Sequence, residues 1–184
     1  MDEIKLRVSG IEKSFPGVKA LSNINFAVRK GTVHALCGEN GAGKSTLMKV
    51  LTGIYKADKG QIYIDEKPVE IKNPIQAREY GISMIAQELN YVSELSVEEN
   101  LFLGREPKKG KVFVNKAERL KETQRLLDEM GLDYNPREKM GNLNVAQRQM
   151  IEILKSLSRD SRVIIMDEPT SALTSKESEI LFSK

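Results

Sequence analysis

The feature that most constrains this chain is the stretch Gly38-Glu39-Asn40-Gly41-Ala42-Gly43-Lys44-Ser45-Thr46. Its spacing is G-x-x-x-x-G-K-S, in which the glycines let the backbone turn several N–H groups toward one point. The N-terminus of the helix expected to follow adds positive potential at the same place. Lys44 suits the β- and γ-phosphates, and the Ser45 hydroxyl suits Mg²⁺. We therefore predict that this stretch binds a chain of phosphates.

The residues on either side of the loop have the pattern that such a motif requires. Residues 33–37 form a short apolar run, which predicts a strand, and Lys44–Leu51 has helical apolar spacing with Gly53 just beyond it. The single histidine, His34, and the single cysteine, Cys37, lie in that run, so we expect both to have packing roles. One cysteine excludes an intramolecular disulfide and fits a reducing compartment.

Composition narrows the class of protein. Of 184 residues, 40% are hydrophobic and 30% are charged, which is typical of a globular domain. The net charge of +3 gives no argument for nucleic-acid binding. The apolar runs are all shorter than the roughly 20 residues that a spanning helix needs, and residues 1–5 lack the pattern of a signal peptide. Any membrane-spanning part is therefore expected on another chain.

The rest of the chain divides into a strand-rich beginning, a helical middle and a short return to the strand pattern. Residues 4–8 and 24–28 alternate apolar and polar side chains, which predicts half-exposed strands in a hairpin. We predict an α/β fold with an N-terminal antiparallel β subdomain and a helical insertion. Its core is expected at about residues 1–95 and 158–184, and its helical subdomain at about residues 96–157.

Caps and short apolar runs mark the individual elements. Residues 61–64 and 82–85 are predicted to be strands, and Pro74 is predicted to begin a short helix. Capping boxes are predicted to open three helices of the insertion. These boxes begin at Ser96, Asn115 and Asn144. The helix after Asn115 is expected to bury one stripe of side chains, Ala117, Leu120, Leu127 and Met130, and the helix after Asn144 is expected to run from about residue 145 to 157. A last helix is expected to begin near Thr174.

A second group of polar residues follows apolar runs. The run at Val163–Met166 predicts a strand buried on both faces, and it ends at Asp167 and Glu168. Asp167 is placed to hold Mg²⁺ and Glu168 to orient and polarise a water molecule. Gln87 follows another apolar run, so its amide is a candidate for the metal or the water. For the carboxylates and the glutamine, the alternative is an ordinary solvated role.

Two further positions leave alternatives open. Phe15 is a candidate for stacking on an adenine ring, although an aromatic residue here is also an ordinary core residue. Asn144 is a good N-cap with Gln147 at the third helical position, so the two are expected to satisfy each other's N–H groups. The N-terminus of that helix is either an anion site or a capped helix end and no more.

In order along the chain, these motifs resemble those of ABC transporter ATPases, which contain a P-loop NTPase core. The resemblance covers almost the whole chain. Residues 38–46 are similar to Walker A, Gln87 to the Q-loop, residues 143–147 to the signature motif, residues 163–168 to Walker B, residues 171–174 to the D-loop, and Phe15 to the adenine-stacking residue. Within the family, residues 14–21, 87–90 and 166–174 resemble the monosaccharide importers, and residues 104–114 resemble the galactose/methyl galactoside ATPases, with ribose and xylose ATPases as near neighbours.

The resemblance implies a function and a set of partners. ATP is expected to be bound by Phe15, residues 38–46, Asn144 and Gln147, and Mg²⁺ by Ser45, Gln87 and Asp167. Lys44, Gln87 and Glu168 are the expected catalytic residues. Two cassettes are expected to close head to tail on two ATP molecules and to drive a membrane permease from the cytoplasmic face of the inner membrane. A periplasmic or surface binding protein is expected to recognise the sugar.

The sequence departs from the family pattern in two ways. Asn144 replaces a serine, and Val145 and Ala146 replace glycines. Sugar ATPases tolerate a non-glycine near Val145, so only the Asn144 change is unusual, and it is expected to weaken activation of the partner site. The switch histidine of the family lies beyond Lys184, and His34 is no substitute for it. We therefore expect a fragment in which C-terminal strands of the sheet are missing and ATP hydrolysis by the chain alone is weak.

Three other functions compete with sugar import. A soluble ABC ATPase for DNA repair or translation predicts long coiled-coil inserts or a strongly basic surface, and the sequence has neither. A small P-loop kinase or GTPase is disfavoured because residues 115–118 depart from the guanine-reading N-K-x-D motif at the fourth position. A nucleotide-binding fragment without catalysis stays open.

Overall fold

The computed structural model describes residues 3–85, 90–110, 113–170 and 173–183. The chain forms two compact units, Met1–Met84 with Asp160–Ile165 and Ile85–Arg159 with Met166–Lys184. In chain order the elements are β1 (Ile4–Phe15), β2 (Val18–Arg29), α1 (Lys44–Leu51), β3 (Lys59–Ile64), β4 (Lys67–Val69), α2 (Pro74–Glu79), β5 (Ile82–Ile85), α3 (Val97–Phe102), β6 (Lys108–Lys109), β7 (Phe113–Val114), α4 (Lys116–Met130), a 3₁₀ turn (Met140–Asn142), α5 (Val145–Leu157), β8 (Val163–Met166) and α6 (Ser175–Phe182).

An antiparallel sheet in the order β2-β1-β3-β4 dominates the first unit. The predicted strands at 4–8 and 24–28 are confirmed but are longer than predicted, because register shifts carry the β1–β2 hairpin through residues that break the alternation. The hairpin reverses at Gly17, whose φ of 79° lies in the left-handed region that glycine adopts freely. The pairing ends at Phe15 opposite Val18.

Helix α1 packs its apolar side against that sheet. The buried residues of the helix join those of β1 and β3 in one core, which fixes the position of the helix N-terminus in the first unit. Burial of each such side chain contributes roughly 1.5–3 kcal/mol. The members of this core on the three elements are Leu6, Val8, Ile11, Leu47, Val50, Leu51, Ile62 and Ile64.

Strands β5 and β8 pair with each other. The N–H groups of Val163 and Asp167 donate to the carbonyl oxygens of Gly81 and Ile85 at 3.0 and 3.1 Å, so the register is parallel. The strand predictions are confirmed. The prediction that β8 is buried on both faces holds fully only at Ile165, because the other residues of the strand are half-buried.

The strand predicted at residues 33–37 is wrong. The segment belongs to no strand among the described residues, and Val33 is 100% exposed. A β-strand exists only where a neighbouring strand accepts its N–H groups, and none of the described strands pairs with this segment. The packing role expected for Cys37 is also wrong, because its side chain is exposed. His34 stacks on Phe26, with ring centroids 5.6 Å apart.

Helical structure dominates the second unit. Helix α5 has the predicted bounds, and α4 ends as predicted at Gly131, whose φ is 68°. The box predicted at Asn115 forms only in half: its side chain accepts from the Glu118 N–H, while its own N–H donates to the Pro107 carbonyl at 2.7 Å. Within the described residues, no helix is long and apolar enough to cross a bilayer.

The predicted buried side of α4 is confirmed at Leu127 and Met130, which are buried, but it is wrong at the start of the helix. Ala117 is exposed and Leu120 is half-buried, whereas Arg119 is only 6% exposed. The reason is an ion pair, in which Arg119 Nη2 lies 3.2 Å from Glu98 Oε1 and 3.5 Å from Glu99 Oε1. A charged residue therefore takes a place in the interior that periodicity assigns to alanine and leucine.

We predict that Arg119→Met lowers the free energy of unfolding by roughly 3 kcal/mol, since it leaves the Glu98 charge buried without its partner. The change is measured by denaturant unfolding. The matched control is Arg125→Met on the same helix, where the exposed Arg125 pairs with Glu122 and Glu129; it is expected to leave the midpoint nearly unchanged. Equal losses in both variants would contradict the prediction.

Candidate active site

The loop predicted to bind phosphates is held in shape by its own lysine. Lys44 Nζ donates to the carbonyl oxygens of Gly38 at 2.6 Å and Glu39 at 2.9 Å. The Ala42 N–H also donates to the Glu39 carbonyl at 3.1 Å, which closes a turn. Gly41 has a φ of 83°, a conformation that turns neighbouring N–H groups to one side. A phosphate chain is a stronger acceptor for the ammonium than these two carbonyls.

Gly43 joins the loop to the sheet. Its φ is 91°, and a Cβ atom at this position would lie 2.5 Å from the carbonyl oxygen of Ala20 and 3.0 Å from Leu21 Cδ2. Any larger residue would therefore push the loop away from β2. The glycine fixes the distance between the phosphate loop and the β1–β2 hairpin within the first unit.

Helix α1 begins directly behind this loop. Its N-cap is Gly43, which offers no side-chain oxygen to the first turn, and the Leu47 N–H donates to the Gly43 carbonyl at 2.9 Å. Ser45 is exposed on that first turn. The N–H groups of the turn and the helix dipole are thus suited to an anion, which agrees with the sequence prediction.

Phe15 lies at the same end of the first unit as the loop. Phe15 pairs with Val18 at the end of the hairpin. Two residues after Val18 comes Ala20, whose carbonyl oxygen faces Gly43 of the loop. Phe15 is half-buried and contacts the ring of Tyr55 in an edge-to-face arrangement, with centroids 5.2 Å apart. The structure therefore brings the predicted base-stacking residue and the predicted phosphate loop together.

Asp167 and Glu168 lie in the second unit, at the carboxyl end of β8. The Asp167 N–H donates to the Ile85 carbonyl at 3.1 Å, which extends the pairing with β5 by one residue. Glu168 is exposed and has a φ of 48°, a left-handed conformation that costs a non-glycine residue about 1–3 kcal/mol. Residues in such strained conformations concentrate at functional sites.

The described side chains that were predicted to hold Mg²⁺ offer oxygen donors. Among the described residues, no group of three or more His, Cys, Asp or Glu side chains is arranged to hold a metal ion. The Asp167 carboxylate and the Ser45 hydroxyl are each an oxygen donor of the kind that Mg²⁺ takes, with waters and substrate phosphates filling the rest of its shell. Gln87, and with it the Q-loop prediction, lies outside the described residues, as do Ser171 and Ala172.

The signature segment opens α5 as predicted. The Gln147 N–H donates to Asn144 Oδ1 at 2.9 Å, and the Asn144 N–H donates to Gln147 Oε1 at 3.0 Å, so the capping box is confirmed. Val145 is 56% exposed beside it. Since each side chain is engaged by the other residue's N–H, any ligand of this helix end would be bound chiefly by backbone N–H groups of the first turn.

Arg148 directly follows this segment, and the sequence reasoning missed it. Its guanidinium donates to the carbonyl oxygens of Met140 at 3.0 Å and Gly141 at 2.7 Å, and to Tyr91 Oη at 2.8 Å. The arginine thereby holds the turn that leads into Asn144. The sequence does contain a signal for this contact: Arg148 comes four residues after Asn144, so it lies one turn further along the same face of the helix.

The described site residues therefore fall into two groups. Phe15 and the loop at 38–46 belong to the first unit, and Asn144, Gln147, Asp167 and Glu168 belong to the second. The structure brings the members of the first group together. That all of them act on one nucleotide stays a prediction.

The fold and the loop define a nucleotide-binding cassette, and the comparison with known families agrees. Residues 21–171 match the family described as ABC transporter, so the chain belongs to that family. The family resemblance and the α/β fold class expected from the sequence are confirmed.

Sugar importers are among the similar curated proteins. A ribose/galactose/methyl galactoside import ATP-binding protein of Agrobacterium fabrum is 51% identical over 98% of this chain. The galactose/methyl galactoside import ATP-binding protein MglA of Escherichia coli K12 is also 51% identical over 98% of this chain. The chain spans 35% and 36% of the length of these two relatives.

Similar solved structures have the same fold. A nucleotide-free ATP-binding cassette from an ABC transporter is 31% identical and covers 98% of this chain and 75% of its own, with a TM-score of 0.84. The ADP conformation of MJ1267, an ATP-binding cassette of an ABC transporter, is 32% identical over 98% of this chain and 74% of its own, with a TM-score of 0.82.

Proposed function

We propose that this chain is part of an ATP-hydrolysing subunit that powers the import of a monosaccharide through a membrane permease. One observation carries the proposal: a glycine-rich loop leads directly into Lys44, the first residue of α1, in a chain that is 51% identical to sugar import ATP-binding proteins. Galactose, methyl galactoside and ribose are the candidate sugars, because the names of those relatives include them.

The residues of the first unit bind and orient the nucleotide. Lys44 exchanges its bonds to Gly38 and Glu39 for the β- and γ-phosphates, while the N–H groups of the loop and of the first turn of α1 donate to phosphate oxygens. Phe15 stacks on the adenine ring. Ser45 is a ligand for Mg²⁺, which neutralises charge on the phosphate oxygens when bound.

The residues of the second unit complete the site. Asp167 holds Mg²⁺ directly or through water, and the Glu168 carboxylate accepts a hydrogen bond from the attacking water. Gln87 is assigned to the metal or to that water. The first turn of α5, capped by Asn144 and Gln147, approaches the γ-phosphate of ATP bound to a second cassette. Residues 96–157 form a helical subdomain that contacts the permease with the segment around Gln87.

The proposal also assigns partners and a location. The chain works with a membrane-spanning sugar permease and a second cassette, and a periplasmic or surface binding protein delivers the sugar. The cassette is peripheral and lies on the cytoplasmic face of the inner membrane. The near balance of charge over the chain, +3 in total, supports partners other than nucleic acid.

The test has two stages, because ATP binding and transport are separate claims. Binding of MgATP to this chain is first measured by calorimetry. The chain is then placed in its complete transporter with the permease and binding protein, and ATP turnover is measured in vesicles with and without galactose, methyl galactoside or ribose. Stimulation by one sugar supports the proposal. Binding without stimulation by any sugar would favour a nucleotide-binding chain of another function.

A prediction concerns the departure at Asn144. We expect Asn144→Ser to raise ATP turnover of the assembled transporter severalfold, since a hydroxyl is smaller than the amide and can still cap the Gln147 N–H. Steady-state turnover in proteoliposomes measures this. Asn115→Ser, a cap change on α4, serves as the control and is expected to leave turnover unchanged. Unchanged turnover in Asn144→Ser would refute the prediction.

A further inference from the structure

Asp58 attaches the end of β1 to the segment that follows α1. Its Oδ1 lies 2.8 Å from Lys13 Nζ, and its Oδ2 accepts the N–H of Ser14 at 2.7 Å. Its own N–H donates to the carbonyl oxygen of Glu12 at 2.9 Å. One residue thus contacts three consecutive residues of β1, and the next residue along that strand is Phe15.

The charge of Asp58 suits this attachment. The hydrogen bond from Lys13 and the N–H of Ser14 hold the pKa of Asp58 below its usual value. The carboxylate therefore stays ionised and accepts from both donors. Lys13 Nζ, held at Oδ1, also lies 5.6 Å from the centre of the Phe15 ring.

Tyr55 fixes the plane of the Phe15 ring from the same segment. The two rings meet at 71° with centroids 5.2 Å apart, an arrangement that is favourable beyond its buried area. The N–H of Tyr55 donates to the Lys49 carbonyl at 3.0 Å, so the tyrosine is held to the last turn of α1. Movement of α1 would carry Tyr55 with it.

Helix α1 therefore connects the two ends of the proposed nucleotide site. Its N-terminus is the phosphate loop at Gly43, and its C-terminus leads to Tyr55 and Asp58. Between them, Gly53 has a φ of 72°, and a Cβ there would lie 2.7 Å from the backbone of Asn73, so the turn after the helix is tightly packed. The phosphate loop and the Phe15 ring are thus held at a defined separation.

We propose that Tyr55 and Asp58 are positioning residues that set the orientation of Phe15 for a nucleobase at a fixed distance from the phosphate loop. The inference rests on the proposed function, since it assumes that Phe15 stacks on the base. Its specific consequence is that both residues contribute to the affinity for nucleotides but not to the affinity for a bare phosphate chain.

The experiment compares two ligands, MgATP and magnesium tripolyphosphate, by calorimetry on this chain. Phe15→Ala is expected to lower the ratio of the two association constants about 10-fold, the scale of one base–aromatic stack. Tyr55→Leu and Asp58→Asn are expected to lower the same ratio about threefold or more while the association constant for tripolyphosphate stays unchanged. Tyr55→Phe keeps the ring contact and is expected to restore the ratio.

The matched control is Asp65→Asn, at a carboxylate that also accepts from a lysine of β1, Lys5, at 2.6 Å but lies elsewhere in the sheet. In Asp65→Asn, the ratio of the association constants for MgATP and tripolyphosphate is expected to equal that of the parent chain. Thermal unfolding shows whether each variant is folded. If Tyr55→Leu does not fold, Asp58→Asn tests the positioning role by itself, because the Asp58 side chain is 43% exposed and asparagine has nearly the same shape.

Three outcomes would overturn the inference. If Phe15→Ala lowers the ratio and neither Tyr55→Leu nor Asp58→Asn does, base stacking stands and positioning fails. If both ligands weaken equally in those two variants, the contacts serve stability alone. If ATP binds and Phe15→Ala leaves the ratio unchanged, Phe15 does not stack on the base, and that part of the proposed function fails as well.

Discussion

Replacing Lys44 by alanine is expected to lower the affinity of this chain for MgATP by about 100-fold, or about 2–3 kcal/mol, which is the scale of a charge-assisted hydrogen bond to phosphate. Lys44 Nζ donates to the Gly38 and Glu39 carbonyls, and it gives up these bonds when it binds phosphate. The measured effect is therefore the difference between two sets of bonds. Calorimetric titration with MgATP measures it.

The matched control is Lys30→Ala, in the same unit but at the end of the β1–β2 hairpin opposite Phe15, where the exposed lysine pairs with Glu3 at 3.2 Å. It removes the same charge from the chain and is expected to change the affinity less than twofold at physiological salt, because salt screens an exposed charge at the far end of these long strands. A comparable loss in both variants would show that Lys44 acts through net charge, and no loss in Lys44→Ala would contradict the phosphate loop itself.

Local chemistry was predicted well from the sequence. The capping boxes predicted at Ser96 and Asn144 form as the spacing of the residues indicates, with each cap accepting from the third residue of its helix. A further box, at Thr174, opens α6. Such hydrogen bonds involve neighbours in sequence, so a short pattern contains nearly all the information that determines them. The half-formed box at Asn115 shows the limit, because the Pro107 carbonyl takes its N–H.

Elements that depend on distant partners were predicted less well. Residues 33–37 have the composition of a strand, but a strand needs a neighbour, and the pattern says nothing of whether one is present. The interior side of α4 was predicted correctly at Leu127 and Met130 but not in its first turns, where Arg119 is buried and paired with Glu98, a residue of another helix. Periodicity assigns charges to the surface and cannot identify a pair that is buried together.

The site shows the same division between local and distant information. The phosphate loop, Asp167 and Glu168 are predicted from short motifs, and their roles stay predictions. The contacts of Phe15 with Tyr55, and of Ser14 with Asp58, join residues about 40 positions apart, so no motif contains them. Arg148 directly follows the segment at residues 143–147, yet its carbonyl partners appear only in three dimensions.

Replacing Glu168 by glutamine is expected to lower ATP turnover of the assembled transporter by 100-fold or more, the contribution of a general base, while MgATP affinity stays within about twofold of the parent. The amide keeps the size of the side chain but is a far weaker base than the carboxylate. Single-turnover hydrolysis together with equilibrium binding separates the two effects. A parallel loss of binding would contradict the assigned role.

The backbone at Glu168 provides a second, independent check of that role. A φ of 48° strains glutamate but not glycine, so Glu168→Gly is expected to cost less stability in denaturant unfolding than the same change inside a helix. The matched control, Glu129→Gly, changes the same residue type in α4, where glycine costs about 1 kcal/mol. Because Glu168→Gly also removes the carboxylate, its turnover should fall as in Glu168→Gln. A stable but inactive glycine variant would show that the chain holds a strained glutamate here for catalysis, whereas a loss of stability matching Glu129→Gly would contradict the strain.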